Sequence, residues 1–239
     1  MSGHSKWSKV KHQKETTDAV KGKIFTKMSS AIMIAVKEGG GGDPNSNFRL
    51  RLAIEKAKSH NMPKENIERA IEKAVKAGSE GGMEQHVYEA FAPGGVGIII
   101  EATTDNKQRT VSEIKNTLER HGGVLASSGS VSHLFDYVGF IEVTKTGKTF
   151  DQIMEIALDA GAIDLSDQEK AVDIYTSHDH LHKIKEELVK KGLTVTESEL
   201  IYKAVSIVSI ENPNQMKKTE ELLQILEERD DVAAVFANL

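Results

Sequence analysis

The sequence predicts an α+β fold, in which an N-terminal three-helix bundle precedes two ferredoxin-like (βαββαβ) domains, one inserted into the other. Apolar residues recur only at helical spacing near the N-terminus, whereas strand-like and helix-like segments alternate in the rest of the chain. A length of 239 residues leaves room for two or three small domains. We expect a basic arm and bundle at 1–78, an α/β domain at 84–136 plus 204–239, and an inserted α/β domain at 137–203.

Three amphipathic segments predict the bundle. The first helix covers 16–37 and ends at the glycines of 39–42, and the second covers about 47–59. A third helix begins near Pro63, because proline is favoured in the first helical turn, and Gly78 ends it. Apolar stripes face the core, and they consist of Val20, Ile24, Met28, Ile32 and Ala35, then Leu50, Ala53, Ile54 and Ala57, then Ile67, Ala70, Ile71, Ala74 and Val75.

Residues 79–83 are a predicted linker, after which strands and helices alternate. In the parent α/β domain the predicted strands are 97–102, 130–135, 205–210 and 232–236, and the predicted helices are 110–121 and 215–229. In the inserted domain the predicted strands are 140–143, a short one near 163, 171–175 and 193–197, and the predicted helices are 149–159 and 178–191.

Composition and motifs exclude several kinds of chemistry. There is no cysteine, so disulfides, thiolate catalysis and iron–sulfur clusters are excluded, and a nucleophile elbow, an HExxH motif and a Walker loop are also missing. We predict no enzyme activity, no cofactor and no metal, and interpret His178, His180 and His182 as surface histidines. The glycine-rich residues 92–97 precede a strand, whereas a phosphate-binding loop follows one, so they predict either a tight turn or a backbone surface that another macromolecule approaches closely.

The sequence also favours a cytoplasmic protein without a membrane partner. No apolar run approaches the roughly 18 residues of a membrane span, and no apolar segment follows the basic N-terminus as a secretory signal would require.

Charge is distributed unevenly along the chain. The formal net charge is −5, but residues 1–75 hold 15 Lys/Arg against 8 Asp/Glu, and residues 76–239 hold 16 against 28. This asymmetry predicts a basic binding region joined to an acidic body, because clustered lysines attract phosphate by releasing condensed counterions. A solvated helix face is the alternative interpretation.

Residues 1–15 have no apolar period and are interpreted as a basic arm. Its Trp7 offers a flat surface on which an unpaired base can stack, although an indole that packs back on the bundle is the alternative. Arg49 and Arg51 diverge around the second helix, so that one can contact phosphate while the other pairs with Glu55. The predicted nucleic-acid-binding residues are Lys6, Trp7, Lys9, Lys11, His12, Lys14, Lys21, Lys23, Lys27, Arg49 and Arg51.

Several segments in order resemble the YebC/PmpR family. They are GHSKW at 3–7, GKIFTK at 22–27, RLRLAIEKAK at 49–58, NMPKENIERAI at 61–71, GGVGIIIEATTDN at 94–106, RTVSEIKNTLERHGG at 109–123, GSVSHLF at 129–135 and DDVAAVFANL at the C-terminus. The resemblance is dense through residue 135 and looser in the inserted domain. Two departures are a glycine run at 39–42 that is one residue longer than expected and an arm with less arginine.

The resemblance implies three domains, a helical bundle followed by an α/β domain that carries a second α/β domain as an insertion. Members are usually called DNA-binding transcriptional regulators, a mitochondrial relative is a translational activator of cytochrome oxidase subunit one, and others are linked to ribosomes at difficult peptide sequences such as proline runs. The arm positions that match are Gly3, His4, Ser5, Lys6 and Trp7, with Lys9, Lys11, His12 and Lys14.

The sequence therefore predicts a non-enzymatic nucleic-acid-binding regulator of gene expression without a small-molecule substrate. Two targets stay open, namely duplex DNA in transcription regulation and ribosomal RNA or the ribosome in translation regulation. The sequence leans slightly toward RNA, because the arm is thin and carries a tryptophan, and an acidic body repels a long duplex.

Replacing Lys9, Lys11 and Lys14 together with Glu is expected to abolish nucleic-acid binding without unfolding the chain, since none lies on an apolar stripe. If wild type neutralises about four phosphates, the log–log slope of duplex affinity against salt is about −4. Titrations at several salt concentrations measure the slope, with circular dichroism as the folding control. A wild-type slope near zero would contradict the electrostatic account.

Overall fold

The computed structural model describes residues 18–78 and 82–239. The chain divides into two compact units. Among the described residues, the insert unit consists of Asp136–Lys203, and the flanking unit consists of 18–78, 82–135 and Ala204–Leu239. Within the flanking unit, the Val205 amide donates to the Leu134 carbonyl at 2.9 Å. This hydrogen bond joins the two chain ends between which the insertion lies.

Three helices begin the described chain, and each confirms a helix predicted from apolar spacing. They are α1 (Asp18–Glu38), α2 (Phe48–Ser59) and α3 (Lys64–Ala77). The sequence wrongly assigns Val75 to the buried stripe of the third helix. Its side chain, in the last turn of α3, lies beside Gly42 and is 56% exposed. The buried core of the bundle consists of Ile32, Ala35, Val36, Leu50, Ala57, Met62, Ile67 and Ala70.

The side chain of Asn47 links the first two helices. Its Oδ1 accepts from the Leu50 amide at 3.0 Å and so caps the N-terminus of α2. Its Nδ2 donates to the carbonyls of Ala35, at 2.7 Å, and Gly41, at 2.8 Å. A Cβ on Gly39 would lie 2.0 Å from Asn47 Oδ1, so only glycine fits there. The turn between α1 and α2 is therefore built around one buried amide.

Strands and helices alternate after α3, with 3₁₀ turns at Ser132–Leu134 and His178–His180. The elements are β1 (Glu84–Ala92), β2 (Val96–Thr104), α4 (Lys107–Arg120), β3 (Val124–Ala126), β4 (Phe135–Thr144), α5 (Phe150–Ala160), β5 (Asp164–Asp167), β6 (Ala171–Ser177), α6 (Leu181–Lys190), β7 (Val195–Ala204), α7 (Pro213–Glu227) and β8 (Val232–Ala237).

The sheet of the flanking unit has the strand order β3-β1-β2-β8, with antiparallel neighbours. β1 and β2 form a hairpin in which Ala92 pairs with Val96. Gly94 and Gly95 have φ angles of 83° and 79° in its loop, a region that glycine enters without steric cost, which confirms the predicted tight turn. Helices α4 and α7 pack on this sheet, and the buried core includes Ile98, Ile100, Ile114, Leu118, Leu222, Leu223 and Leu226.

The insert unit runs strand, helix, two strands, helix, strand, which is the order of elements that the sequence predicts for it. Its sheet has the strand order β5-β6-β4-β7. A capping box begins α5, since Thr149 accepts from the Gln152 amide at 3.3 Å and Gln152 accepts from the Thr149 amide at 3.0 Å. This local signal, followed by Gly161 at the helix end, explains why the sequence located α5 correctly.

The sequence assigns the parent α/β domain less well. β1 was not predicted, and the predicted strands at 130–135 and 205–210 are wrong. A 3₁₀ turn occupies Ser132–Leu134, and the third strand lies earlier, at Val124–Ala126. Residues 205–210 form no strand, and their backbone makes isolated hydrogen bonds, such as that of the Val208 amide to the Asn238 carbonyl at 2.7 Å. The flanking unit therefore runs ββαβ before the insertion and αβ after it.

The buried carboxylate of Glu89 explains why 130–135 is not a strand. It accepts hydrogen bonds from the amides of Gly129 at 2.7 Å, Ser132 at 3.0 Å and Val131. Amides bound to a side chain cannot join a strand ladder. Burial by itself raises the pKa of Glu89, but the three amide donors outweigh it and hold the pKa below its ordinary value.

Replacing Glu89 with Gln is expected to lower the free energy of unfolding by about 2 kcal/mol at neutral pH, because one neutral amide cannot accept from all three donors as strongly. The lowered pKa means that the carboxylate stabilises the fold above its unfolded pKa of about 4.3, and that this stabilisation is lost as pH falls through the folded pKa. Denaturant titrations across this range should show the two proteins converging in acid. Glu155→Gln, at an exposed residue of α5, is the control, and a difference independent of pH would contradict the assignment.

Candidate nucleic-acid interface

Most of the predicted binding residues lie outside the part of the chain that the structure describes. These are Lys6, Trp7, Lys9, Lys11, His12 and Lys14 of the arm. Lys21 belongs to α1, but its side chain is likewise outside the described set. Lys23, Lys27, Arg49 and Arg51 remain, and the structure gives each of them a contact within the flanking unit.

Lys23 and Lys27 contact the end of α7. The Nζ of Lys23 donates to the Glu228 carbonyl at 3.3 Å, and the Nζ of Lys27 donates to the Glu227 carbonyl. The last carbonyls of a helix lack intrahelical partners and carry partial negative charge, so ammonium groups are favourable there. The two lysines therefore join α1 to the C-terminus of α7, and Lys27 is partly buried in this contact.

Arg49 and Arg51 lie near the start of α2 and make different contacts. Arg49 forms an ion pair with Glu38 at the end of α1, and its side chain is 56% exposed. Arg51 donates to the Asn45 carbonyl at 3.1 Å, and its guanidinium carbon lies 6.0 Å from the centre of the Phe48 ring. Arg49 is therefore more accessible than Arg51. A phosphate that binds Arg49 would compete with the carboxylate of Glu38.

The structure also brings together two cations that sequence reasoning missed. Arg69 and Lys73 are exposed on α3 at i, i+4 spacing, which places them on one face. Within residues 18–78 and 82–239, neither side chain forms a hydrogen bond or ion pair. Two neighbouring glutamates are paired with other lysines, Glu68 with Lys64 at 3.4 Å and Glu72 with Lys76 at 3.5 Å. The spacing of Arg69 and Lys73, off the apolar stripe, was the signal available in the sequence.

Both cations border an open groove of about 280 Å³ between α1 and α3. Phe25, Thr26, Ser29 and Met33 line it from α1. Met62, Asn66, Arg69, Ala70 and Lys73 line it from the α3 side.

The charge of the described helical part is positive overall. Residues 18–78 contain 12 Lys/Arg and 7 Asp/Glu. Its surface ion pairs are exposed, and such pairs contribute only about 0–1 kcal/mol each. Lys37 and Lys58 are exposed, and like Arg69 and Lys73 they form no side-chain hydrogen bond or ion pair with the described residues. Four cations are therefore available for an anionic partner.

The three histidines of the insert unit each have a neighbour of their own. His178 lies 3.2 Å from Asp179, His180 Nδ1 lies 2.8 Å from Ser177 Oγ, and His182 lies 3.1 Å from Glu186. In the described ranges, no group of three or more His, Asp or Glu side chains is arranged to hold a metal ion. None of the helices described has the length and apolar character needed to cross a membrane.

A helical bundle with an excess of basic residues, followed by two four-stranded antiparallel sheets with their helices, defines a mixed α+β protein. Residues 5–77 match the model of the TACO1/YebC protein N-terminal domain, and residues 83–239 match that of the TACO1/YebC second and third domain. The chain belongs to the TACO1/YebC family.

Relatives align along the full chain. A probable transcriptional regulatory protein of Thermoanaerobacter pseudethanolicus is 45% identical over 240 residues, covering 100% of this chain and 97% of the relative. One from Aquifex aeolicus is 42% identical over 238 residues, covering 100% and 95%. Both names describe a regulatory protein rather than an enzyme.

The fold is also found in a solved structure. The crystal structure of the conserved hypothetical protein Aq1575 from Aquifex aeolicus matches with a TM-score of 0.87 and 42% sequence identity. The match covers 96% of this chain and 94% of the other.

Replacing Lys27 with Met is expected to lower the free energy of unfolding by about 1 kcal/mol, because the Glu227 carbonyl loses its charged donor. Thermal or denaturant melts measure this loss. Lys218→Met, at an exposed lysine of α7, is the control and is expected to change stability little. If Lys27→Met left stability unchanged but weakened nucleic-acid binding, Lys27 would serve the phosphate contact that the sequence predicts.

Proposed function

We propose that this protein is a non-enzymatic, nucleic-acid-binding regulator of gene expression that acts in the cytoplasm. The observation that carries the proposal is the set of exposed cations without partners in the described helical part, namely Lys37, Lys58, Arg69 and Lys73. Such cations bind phosphate by releasing condensed counterions. The arm residues predicted from the sequence would extend this surface.

The separation of charge supports a defined binding end. Residues 76–239 hold 28 Asp/Glu against 16 Lys/Arg, so this acidic part of the chain repels a polyanion. A nucleic acid would therefore contact the helical part and the arm, and the acidic α/β part would be available for other contacts. The names of the relatives, probable transcriptional regulatory proteins, support a role in gene expression and are compatible with duplex DNA as the target.

A second candidate is a translation factor that binds ribosomal RNA. The mixed charge of α3 favours this second candidate, because Glu65, Glu68 and Glu72 are exposed among the cations of the helix. A recognition helix in the major groove runs between two phosphate backbones, and carboxylates on its surface would be repelled there. Irregular RNA offers unpaired bases and separated phosphates, which suit a surface of mixed charge with isolated cations.

Sedimentation of the tagged protein from gently lysed cells separates the two targets. Migration with ribosomes that survives DNase and is lost after RNase would make this a translation factor. Recovery of defined DNA fragments that DNase abolishes, without ribosomal migration, would make it a transcription regulator. Failure to recover any nucleic acid, together with no binding by the purified protein to DNA or RNA, would overturn the proposed function.

Neutralising Lys37 and Lys58 with Gln tests whether the helical part makes the phosphate contacts. The salt slope for duplex binding is expected to become shallower by about 1 for each lysine that contacts phosphate. The control is Lys170→Gln with Lys183→Gln, which makes the same charge change at exposed residues of the insert unit. Equal changes in both double variants would show that binding depends on net charge and not on this surface.

A further inference from the structure

We propose that the groove between α1 and α3 binds one unpaired nucleotide of a single strand, with the base against the apolar residues of its lining and the phosphate at Arg69 and Lys73. The inference rests on the proposed function and names the part of the nucleic acid that this site takes. Neither the family match nor the relatives' names assign a ligand to these residues.

The size of the groove limits its occupant to a small group such as a single base. Its volume of about 280 Å³ lies just under the range of about 300–1,000 Å³ typical of small-molecule sites. A duplex keeps its bases paired and stacked, so it could offer only its phosphate backbone to such an opening. A single strand can turn one base out of its stack and insert it.

The lining of the groove includes apolar side chains and one aromatic ring. Phe25 and Met33 are partly exposed, whereas Met62 and Ala70 are buried. Bases stack on aromatic rings whatever their sequence, and the methionine thioether also makes favourable contacts with aromatic systems. The partly exposed ring of Phe25 in the lining therefore gives the site affinity for a base.

The rim of the groove carries hydrogen-bonding groups. The side-chain amide of Asn66 is partly exposed and forms no hydrogen bond to the described chain, so its donors and its acceptor are available for a base edge. Ser29 and Thr26 donate their hydroxyl protons to the carbonyls of Phe25, at 2.9 Å, and Gly22, at 3.1 Å. Their oxygens remain able to accept, for example from a ribose hydroxyl.

The charge of the groove selects an anion. Arg69 and Lys73 are its ionic groups, and no carboxylate is among the described residues that line it. Glu68 and Glu72 form ion pairs with other lysines, and not with these two cations. A basic segment, including the lysine-rich residues 1–15 of this chain, is disfavoured as an occupant by like charge. A nucleotide supplies both the flat base and the phosphate that the lining requires.

Fluorescence titrations of the full-length protein test the proposal with oligouridine about ten nucleotides long, its deoxythymidine counterpart and an RNA duplex. Phe25→Leu keeps an apolar side chain and removes the ring, and it is expected to weaken single-strand binding at least about fivefold with the salt slope unchanged. Arg69→Gln with Lys73→Gln is expected to make the single-strand slope shallower by about 1.4. The ratio of oligouridine to oligodeoxythymidine affinity reports the contribution of the ribose hydroxyl.

Lys37→Gln with Lys58→Gln is the matched control, because it makes the same charge change in the helical part but outside the groove. The groove variants should weaken single-strand binding more than duplex binding, whereas the control should weaken both alike. Equal effects of all variants on both ligands would overturn the groove assignment and leave the proposed function intact. Absence of all nucleic-acid binding by wild type would overturn both.

Methyl NMR of the wild-type protein gives a second measurement that does not depend on the folding of a variant. Oligouridine is expected to shift the methyl signals of Met33 and Met62, which line the groove, and to leave that of Met154, in α5 of the insert unit, unchanged. Binding without a shift at Met33 and Met62 would overturn the proposal.

Discussion

The arrangement of the helical part depends on the buried amide of Asn47. One side chain caps the N-terminus of α2 and also binds carbonyls at and beyond the last turn of α1, so that both helix ends are satisfied at one point. The requirement for glycine at position 39 follows from the same contact. With the turn fixed, the end of α1 and the start of α2 are held together, and α1 packs separately on α3 with the groove between them.

The orientation of α1 also determines which of its lysines are accessible. Lys23 and Lys27 bind the terminal carbonyls of α7, so the helical part is attached to the sheet-bearing part of the flanking unit through a helix end. Arg69 and Lys73 on α3 form no hydrogen bond or ion pair within the described ranges. The basic residues of the helical part therefore fall into two groups. Lys23 and Lys27 hold the flanking unit together, whereas Arg69 and Lys73 face solvent.

Apolar periodicity is sufficient to locate α1, α2 and α3, because the buried face of a helix is marked by apolar residues three or four positions apart in its own sequence. The strand predicted at 130–135 failed because Glu89, far away in the sequence, binds the amides of Gly129 and Val131. The groove could not be read from sequence for the same reason, since Phe25 and Arg69 meet only when α1 and α3 pack. The predicted arm residues, including Trp7, lie outside the described chain and stay predictions.

The hydrogen bond between Val205 and Leu134 has a consequence for the evolution of the chain. Because the flanking unit holds these two residues together, the insertion behaves toward it as a closed loop, whose entropic cost grows only with the logarithm of its length. A whole domain can therefore occupy this position at little more cost than a short connection. The same closure lets the inserted sequence diverge without altering the strands and helices on either side.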